Sequence, residues 1–139
     1  MPPDNAATVG AGIAVQFPEN GPSSGVIARR SGSGYTEATE FVLPSIGTYS
    51  VSFSVSVNEP GQLAVALNSG SGMVELPYTV YGRATGTSQI AGDALVTTTA
   101  AGSTVEVRNP AGNTPALTIT PLAGGTKPAA ASIVIQQLG

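Results

Sequence analysis

The sequence predicts an all-β protein in which about ten short antiparallel strands pack as a sandwich. Residues 50–57 carry the clearest signal, because serine and apolar side chains alternate there as in a strand with one buried face. Glycine (18) and proline (11) recur between short apolar runs, which is typical of tight turns. No segment has helical periodicity over about ten residues. A chain of 139 residues fits one domain, which we place at residues 8–139 after a polar lead-in at residues 1–7.

In the first half of the chain, apolar alternation marks the strands, and clusters of Gly, Pro, Ser or Asn mark the turns. The longest strand follows Gly47, and its apolar side is expected to face a core while its serine side faces outward. The predicted strands are Val9 to Val15 ending at Phe17-Pro18, Val26–Ala28, Phe41 to Pro44, the strand after Gly47, and residues 62–68, with turns at Pro18–Gly25, Ser31–Gly34 and Glu59–Gly61.

The second half continues this pattern, with one unusual proline. A strand is predicted from Met73 to Tyr81, and Pro77 should lie at an edge or a bulge because proline donates no ladder hydrogen bond. The other predicted elements are the turn Asn68–Gly72, the loop Gly82–Ser88, the extended segment Gln89–Thr99, a hairpin through Ala101–Ser103 to Val105–Arg108, the turn Asn109–Asn113, a strand with Leu117 and Ile119, the loop Pro121–Pro128 and a last strand with Ile133 and Ile135.

Charged residues are scarce: they form 9% of the chain, whereas a typical soluble domain has about 25%. The net charge of −3 and the ordered apolar content of 41% argue against a disordered chain. Arg29-Arg30 is the only basic pair, which argues against nucleic-acid binding. A monomer with so few charges would expose a weakly solvated surface, so we expect oligomerisation to cover part of it.

The serine side of the long strand is the candidate contact between copies of the chain. Its residues are Ser50, Ser52, Ser54 and Ser56, and none of them is charged. A strand face that meets water usually carries charged side chains, whereas small hydroxylic residues permit close packing. We therefore expect this face to lie against another copy.

The chemical inventory of the chain predicts neither catalysis nor a cofactor or metal site. Cysteine and histidine are both absent, which removes the thiolate nucleophile, the usual general base and the commonest metal ligand. Asp93 stands alone, whereas calcium needs several oxygen ligands. Glu37 and Glu40 are a formal pair of glycosidase acids, but no other feature supports that chemistry.

The remaining charges and the apolar runs lead to two further expectations. Arg83 and Arg108 pair with Glu75 or Glu106, pair with acidic residues of another copy across a subunit boundary, or are solvated surface charges. We favour the last interpretation. No apolar run approaches the length of a membrane span, and no signal-peptide pattern is expected at the N-terminus.

The spacing of Phe41, Gly47, Tyr49, Val51 and Phe53 resembles the signature of C1q-type globular heads. That signature has Phe, then Gly-x-Tyr-x-Phe-x-aromatic, so Val51 stands where it has a phenylalanine. Tyr35 lies one residue closer to Phe41 than the preceding aromatic of the family does. Later segments are similar to the family's following strands in the same order: 62–68, 89–96, 101–107 and 131–138.

From about Tyr35 to its end, the chain resembles the C-terminal heads of bacterial collagen-like proteins, the BclA-like glycoproteins of the exosporium. The resemblance implies a C1q/TNF-like jelly roll that forms a homotrimer on a bacterial cell or spore surface. It also implies a structural role, in which the head aligns and caps a collagen-like stalk attached to its N-terminus. The implied core residues are Phe41, Gly47, Tyr49, Val51, Phe53 and Val55, and the serine side of the long strand becomes the candidate trimer interface.

Two alternative functions remain open from the sequence. In one, the same trimer is a binding module that recognises glycans or a host receptor through the outer loops Ser69–Gly72, Gly82–Ser88 and Ala123–Pro128. In the other, the chain is the receptor-binding tip or a capsid piece of a phage. Aromatic faces suit sugars, so Tyr35, Tyr78 and Tyr81 are candidate ligand residues. Together with Arg83 they form the candidate ligand surface.

Overall fold

The computed structural model describes residues 8–17, 22–23, 25, 27–29, 39–85, 88–113, 116–120, 126 and 131–139. In this part of the chain the secondary structure is eleven β-strands and one three-residue 3-10 helix, so the predicted all-β class is confirmed. The elements are β1 (Thr8–Val9), β2 (Ala28–Arg29), β3 (Phe41–Leu43), β4 (Thr48–Val57), β5 (Gly61–Asn68), β6 (Met73–Glu75), the 3-10 helix (Pro77–Thr79), β7 (Tyr81–Arg83), β8 (Ser88–Thr97), β9 (Ser103–Arg108), β10 (Leu117–Thr118) and β11 (Ser132–Gln137).

The strands form two main antiparallel sheets. The smaller sheet has three strands in the order β11-β4-β8, and the larger has β2-β3-β9-β5-β6 with β7 also paired to β5. β1 pairs separately with β10. This arrangement is consistent with a β-sandwich.

One hydrophobic core joins residues from both sheets. The smaller sheet contributes the apolar side of β4, and the larger contributes β5 and β9. From Thr48 to Val55 the burial along β4 alternates as the serine pattern predicts, because successive strand residues point to opposite faces. Each fully buried aliphatic side chain stabilises the fold by about 1.5–3 kcal/mol. The core residues from these three strands are Tyr49, Val51, Phe53, Val55, Val57, Leu63, Val65, Val105 and Val107.

The predicted strand from Met73 to Tyr81 is wrong. The structure instead has β6, the 3-10 helix and β7 in succession. Pro77 donates no backbone hydrogen bond, and the buried Thr79 accepts a bond from the Val65 amide at 2.9 Å through its Oγ1. The Thr79 side chain therefore replaces the backbone partner that a continuous strand would supply to β5.

Other predicted boundaries also shift. The first strand was expected to run from Val9 to Val15, but the chain turns at Gly12, whose φ of 76° lies in the left-handed region, and only an isolated bridge at Ala14 follows. The second strand was expected to end at Ala28. In the structure it consists of Ala28–Arg29 and therefore ends one residue later. Gly82, assigned to a loop, lies inside β7.

Candidate functional site

The serine side of β4 lies on the outer face of the smaller sheet, with β11 on one flank and β8 on the other. Directly opposite residues of antiparallel strands share a face, so the register identifies the neighbours of each serine. We call the resulting surface the outer serine face. It comprises three rows: Leu95, Ser50 and Gln136; Asp93, Ser52 and Val134; and Ala91, Ser54 and Ser132.

Ser56 differs from the other three serines of the pattern. It is buried, and its carbonyl oxygen accepts a hydrogen bond from the Thr120 amide at 3.0 Å. Next to it, Val57 forms a bridge with Ile119. The segment that contains Ile119 and Thr120 therefore runs beside Ser56, and the accessible serines are Ser50, Ser52 and Ser54.

The outer serine face combines small hydroxyls with exposed apolar side chains. Leu95 is 56% exposed and Val134 is 60% exposed, although both are large and hydrophobic. Leu138, which follows the end of β11 and donates its amide to the Thr48 carbonyl at 2.8 Å, is similarly exposed. An apolar surface of this kind is typical of a surface that another molecule covers.

Asp93 is the only ionisable residue on the outer serine face. Its Oδ1 accepts a hydrogen bond from the Ser52 hydroxyl at 2.9 Å and a longer one from the Ser50 hydroxyl at 3.4 Å. The face thus carries one carboxylate, which accepts hydrogen bonds from two uncharged serine hydroxyls.

Sequence reasoning found the serines of this face but missed Leu95 and Val134. Leu95 was assigned only to an extended segment, and Val134 only to the last strand. The alternation in each strand shows that Leu95 shares a side with Asp93, but only the register with β4 shows that this side is the serine side.

Four of the six residues assigned to the core lie on the inner side of the same sheet, whereas Gly47 precedes β4 and Phe41 lies on β3 of the larger sheet. Tyr49, Val51, Phe53 and Val55 are buried. The Tyr49 hydroxyl donates to the Ser45 carbonyl at 2.7 Å, which ties the start of β4 to the preceding loop.

Phe41 and Gly47 are half-buried. The Phe41 ring packs against Phe17 with their centroids 6.3 Å apart. The Gly47 amide donates to Thr98 Oγ1 at 2.9 Å, and a Cβ at this position would overlap the carbonyl oxygen of Gly139. Gly47 therefore permits a close approach between the start of β4 and the end of the chain.

The candidate ligand residues are not a uniform exposed surface. Tyr35 lies outside the described residues. Tyr78 is 63% exposed, whereas the half-buried Tyr81 packs edge-on against Phe53 and donates its hydroxyl to the Asp93 carbonyl at 2.6 Å. Both the ring and the hydroxyl of Tyr81 therefore contact other residues of the same chain.

The Arg83 side chain also forms hydrogen bonds within the chain. Its guanidinium donates to the carbonyl oxygens of Glu59 at 2.6 Å, Thr85 at 3.1 Å and Val57 at 3.4 Å. Val57 ends β4, Glu59 lies in the loop after β4, and Thr85 lies in the loop after β7, so Arg83 links these segments.

The outer side of the larger sheet carries a charge cluster. Arg108 pairs with Glu106 at 2.9 Å and with Glu75 at 3.3 Å, so our preference for a solvated Arg108 is wrong. Burial raises the pKa of Glu106; Arg108 opposes this shift, while Glu40 and Glu75 add to it. Glu40 accepts a hydrogen bond from Thr104 at 3.0 Å, and Glu37 lies outside the described residues.

An open depression of about 280 Å³ lies at one end of the larger sheet. It is lined by Val42, Asn68, Gly70, Gly102 and Thr104. Gly70 belongs to the loop Ser69–Gly72, one of the three outer loops named above, whereas Ala123–Pro128 lies almost entirely outside the described residues. Among the described residues, no three acidic side chains lie close enough together to hold a metal ion.

Comparison with protein-family models gives no match, and comparison with curated proteins gives no significant match. Within the described ranges, no helix is both long and apolar enough to cross a membrane.

Proposed function

We propose that this chain is a non-catalytic trimerisation head with a C1q/TNF-like jelly roll, in which three copies associate through the outer serine face. On this proposal the head aligns and caps a collagen-like stalk at its N-terminus, on a bacterial cell or spore surface. The observation that carries the proposal is the outer serine face itself, with its single charge and its exposed Leu95 and Val134.

The strand order supports the jelly roll. From β3 onward, the chain passes from the larger sheet to β4 in the smaller sheet and back to β5 in the larger. It crosses again from β7 to β8, returns at β9, and ends with β11 in the smaller sheet. Such repeated crossing between two antiparallel sheets is typical of jelly rolls.

The composition of the outer serine face supports self-association. Obligate interfaces are apolar and depleted in charged residues, and they bury on the order of 2,000 Å² or more. The two exposed apolar residues flank the central serines on neighbouring strands, so a second copy would cover them together. Removing this apolar area from water favours association.

A trimeric head has a clear physical use beside a collagen-like stalk. Three collagen chains must be in register before glycine packs at the axis of the triple helix. A head that trimerises first supplies that register and lowers the entropy cost of nucleation. The role requires association only, and no reaction.

Light scattering on the purified chain tests this proposal. We expect a mass three times the 13.7 kDa of one chain at micromolar concentration. Ser54→Glu places a bulky charge on the outer serine face and should shift the protein toward monomer. Ser69→Glu makes the same substitution in an exposed loop and should leave the trimer intact. A monomeric wild-type chain contradicts the proposal, and equal behaviour of the two variants contradicts the choice of face.

The depression beside Ser69–Gly72 favours a second candidate function, a trimeric binding module for glycans. Its lining is rich in small and polar residues, and two glycines leave the rim open. A glycan-array screen separates the two functions, because a protein that only trimerises gives no dose-dependent binding.

A further inference from the structure

Asp93 occupies the middle row of the outer serine face, where Ser52 separates it from Val134. The remaining residues of the face are serine, alanine, glutamine, leucine and valine, none of which is ionisable. The face therefore presents one carboxylate and no cation that could neutralise it.

Among the described residues, the elements packed against β8 supply no cation to the Asp93 carboxylate either. On β4 the only titratable group is the buried Tyr49, and β5 has none. The 3-10 helix has Tyr78, and β7 has Tyr81, whose hydroxyl bonds the main-chain carbonyl of Asp93. Arg83 on β7 donates to three main-chain carbonyls near the end of β4.

Covering this face with another copy changes the surroundings of the carboxylate. In the single chain Asp93 is exposed, so water and two serine hydroxyls solvate its charge. When three copies meet through this face, the charge loses water, and none of the described residues of the face supplies a counter-ion, which is unfavourable. In a cyclic trimer three copies of the same carboxylate also surround one axis, and like charges favour the neutral form.

We infer that protonation of Asp93 controls self-association through the outer serine face, so that the copies bind one another more tightly in acid than at neutral pH. Each Asp93 carboxylate takes up one proton from solvent as the copies associate, and the resulting neutral carboxyl group can hydrogen-bond to serine hydroxyls. This inference rests on the proposed function, because it regulates the same surface.

Sedimentation equilibrium between about pH 4 and about pH 8 tests the inference. If three protons are taken up per trimer, the trimer association constant of the wild type rises by up to about a thousandfold per unit fall in pH. Asp93→Asn replaces the carboxylate with a neutral group of the same shape. It should associate more tightly than the wild type at neutral pH and lose most of the pH dependence. Asp93→Ser gives a second neutral variant if the asparagine protein does not fold.

Glu40→Gln is the control, since it removes a carboxylate that lies just before β3, away from the outer serine face, and should keep the wild-type pH dependence. A wild-type trimer whose association constant does not change with pH overturns this inference alone. The same holds if Asp93→Asn retains the full pH dependence. A wild-type chain that stays monomeric at every pH overturns the proposed function as well, so the two failures are distinguishable.

Discussion

Gly92 shows how one residue without a side chain lets two aromatic rings meet. It lies in β8 directly opposite Phe53 on β4, and the rings of Phe53 and Tyr81 approach it edge to face with centroids 6.1 Å apart. A Cβ on Gly92 would lie 2.6 Å from Phe53 Cζ and would overlap the Tyr81 ring. Real side-chain contacts do not reach such distances, so either the rings or the strand must move.

We therefore expect Gly92→Ala to lower the free energy of unfolding by roughly 1–3 kcal/mol, the usual cost of overpacking a core. Urea denaturation at fixed protein concentration measures the change. Gly25→Ala is the matched control, because a Cβ there meets no atom within 4 Å. If Gly92→Ala is as stable as Gly25→Ala, the rings do not pack against β8 as described.

Glu59 shows what the sequence does not reveal about a single residue. Its segment Glu59–Gly61 was predicted only as a turn. In the structure the Glu59 carboxylate accepts bonds from the Thr118 amide at 2.6 Å and the Thr118 hydroxyl at 2.7 Å. Burial raises the pKa of Glu59, but these bonds and Arg83 lower it more, so its net pKa lies below the ordinary value. The partner is remote in sequence, so no local pattern could indicate it.

At the scale of elements, the sequence predicted those strands whose signal is local. β4 could be predicted because every second residue is apolar over its whole length, and β3 because Pro44 follows it directly. β6 and β7 were merged into one strand because the interruption depends on Thr79, whose partner Val65 lies on another strand. Period and turn signals carry no information about such a contact.

The Thr79 hydroxyl is expected to hold the 3-10 helix against β5. Thr79 is fully buried; its hydroxyl bonds the Leu76 carbonyl at 2.7 Å and accepts from the Val65 amide. Thr79→Val keeps the shape and removes every hydrogen bond of the hydroxyl, which leaves the buried Val65 amide without this partner. We expect the free energy of unfolding to fall by about 1–3 kcal/mol.

The matched control for Thr79 is Thr97→Val, which changes an exposed threonine at the end of β8. Thermal and urea denaturation of both variants should separate them clearly. Equal stability would mean that another group, such as water, satisfies the Val65 amide in place of Thr79.

The candidate site was predictable only in part, for a reason that also belongs to the scale of elements. Ser50, Ser52 and Ser54 stand in one strand, so their shared face follows from the period of two. Asp93 and Val134 join that face through strand pairing, and a shift of one residue in register would send them to the other side. Register is a tertiary property that the alternation does not determine.

At the scale of the whole molecule, the few charges are distributed unevenly between the two sheets. Glu75, Glu106 and Arg108 form a linked cluster on the outer side of the larger sheet. The outer side of the smaller sheet has Asp93 alone. These charges of the larger sheet are therefore paired and largely buried, whereas the outer side of the smaller sheet is exposed and carries very little charge. Such a surface favours association with another molecule.

If three copies associate, the thermal unfolding midpoint must depend on protein concentration, because unfolding is then coupled to dissociation. We expect the wild-type midpoint to rise by roughly 2–5 °C for each tenfold increase in concentration. Leu95→Glu adds a second carboxylate to the outer serine face and should abolish this dependence, whereas Val74→Glu should preserve it. Val74 is the matched control, because it is 60% exposed, close to the 56% of Leu95, but lies on β6 in the other sheet. A wild-type midpoint that is independent of concentration would contradict self-association, and loss of the dependence in both glutamate variants would mean that the contact is not confined to the outer serine face.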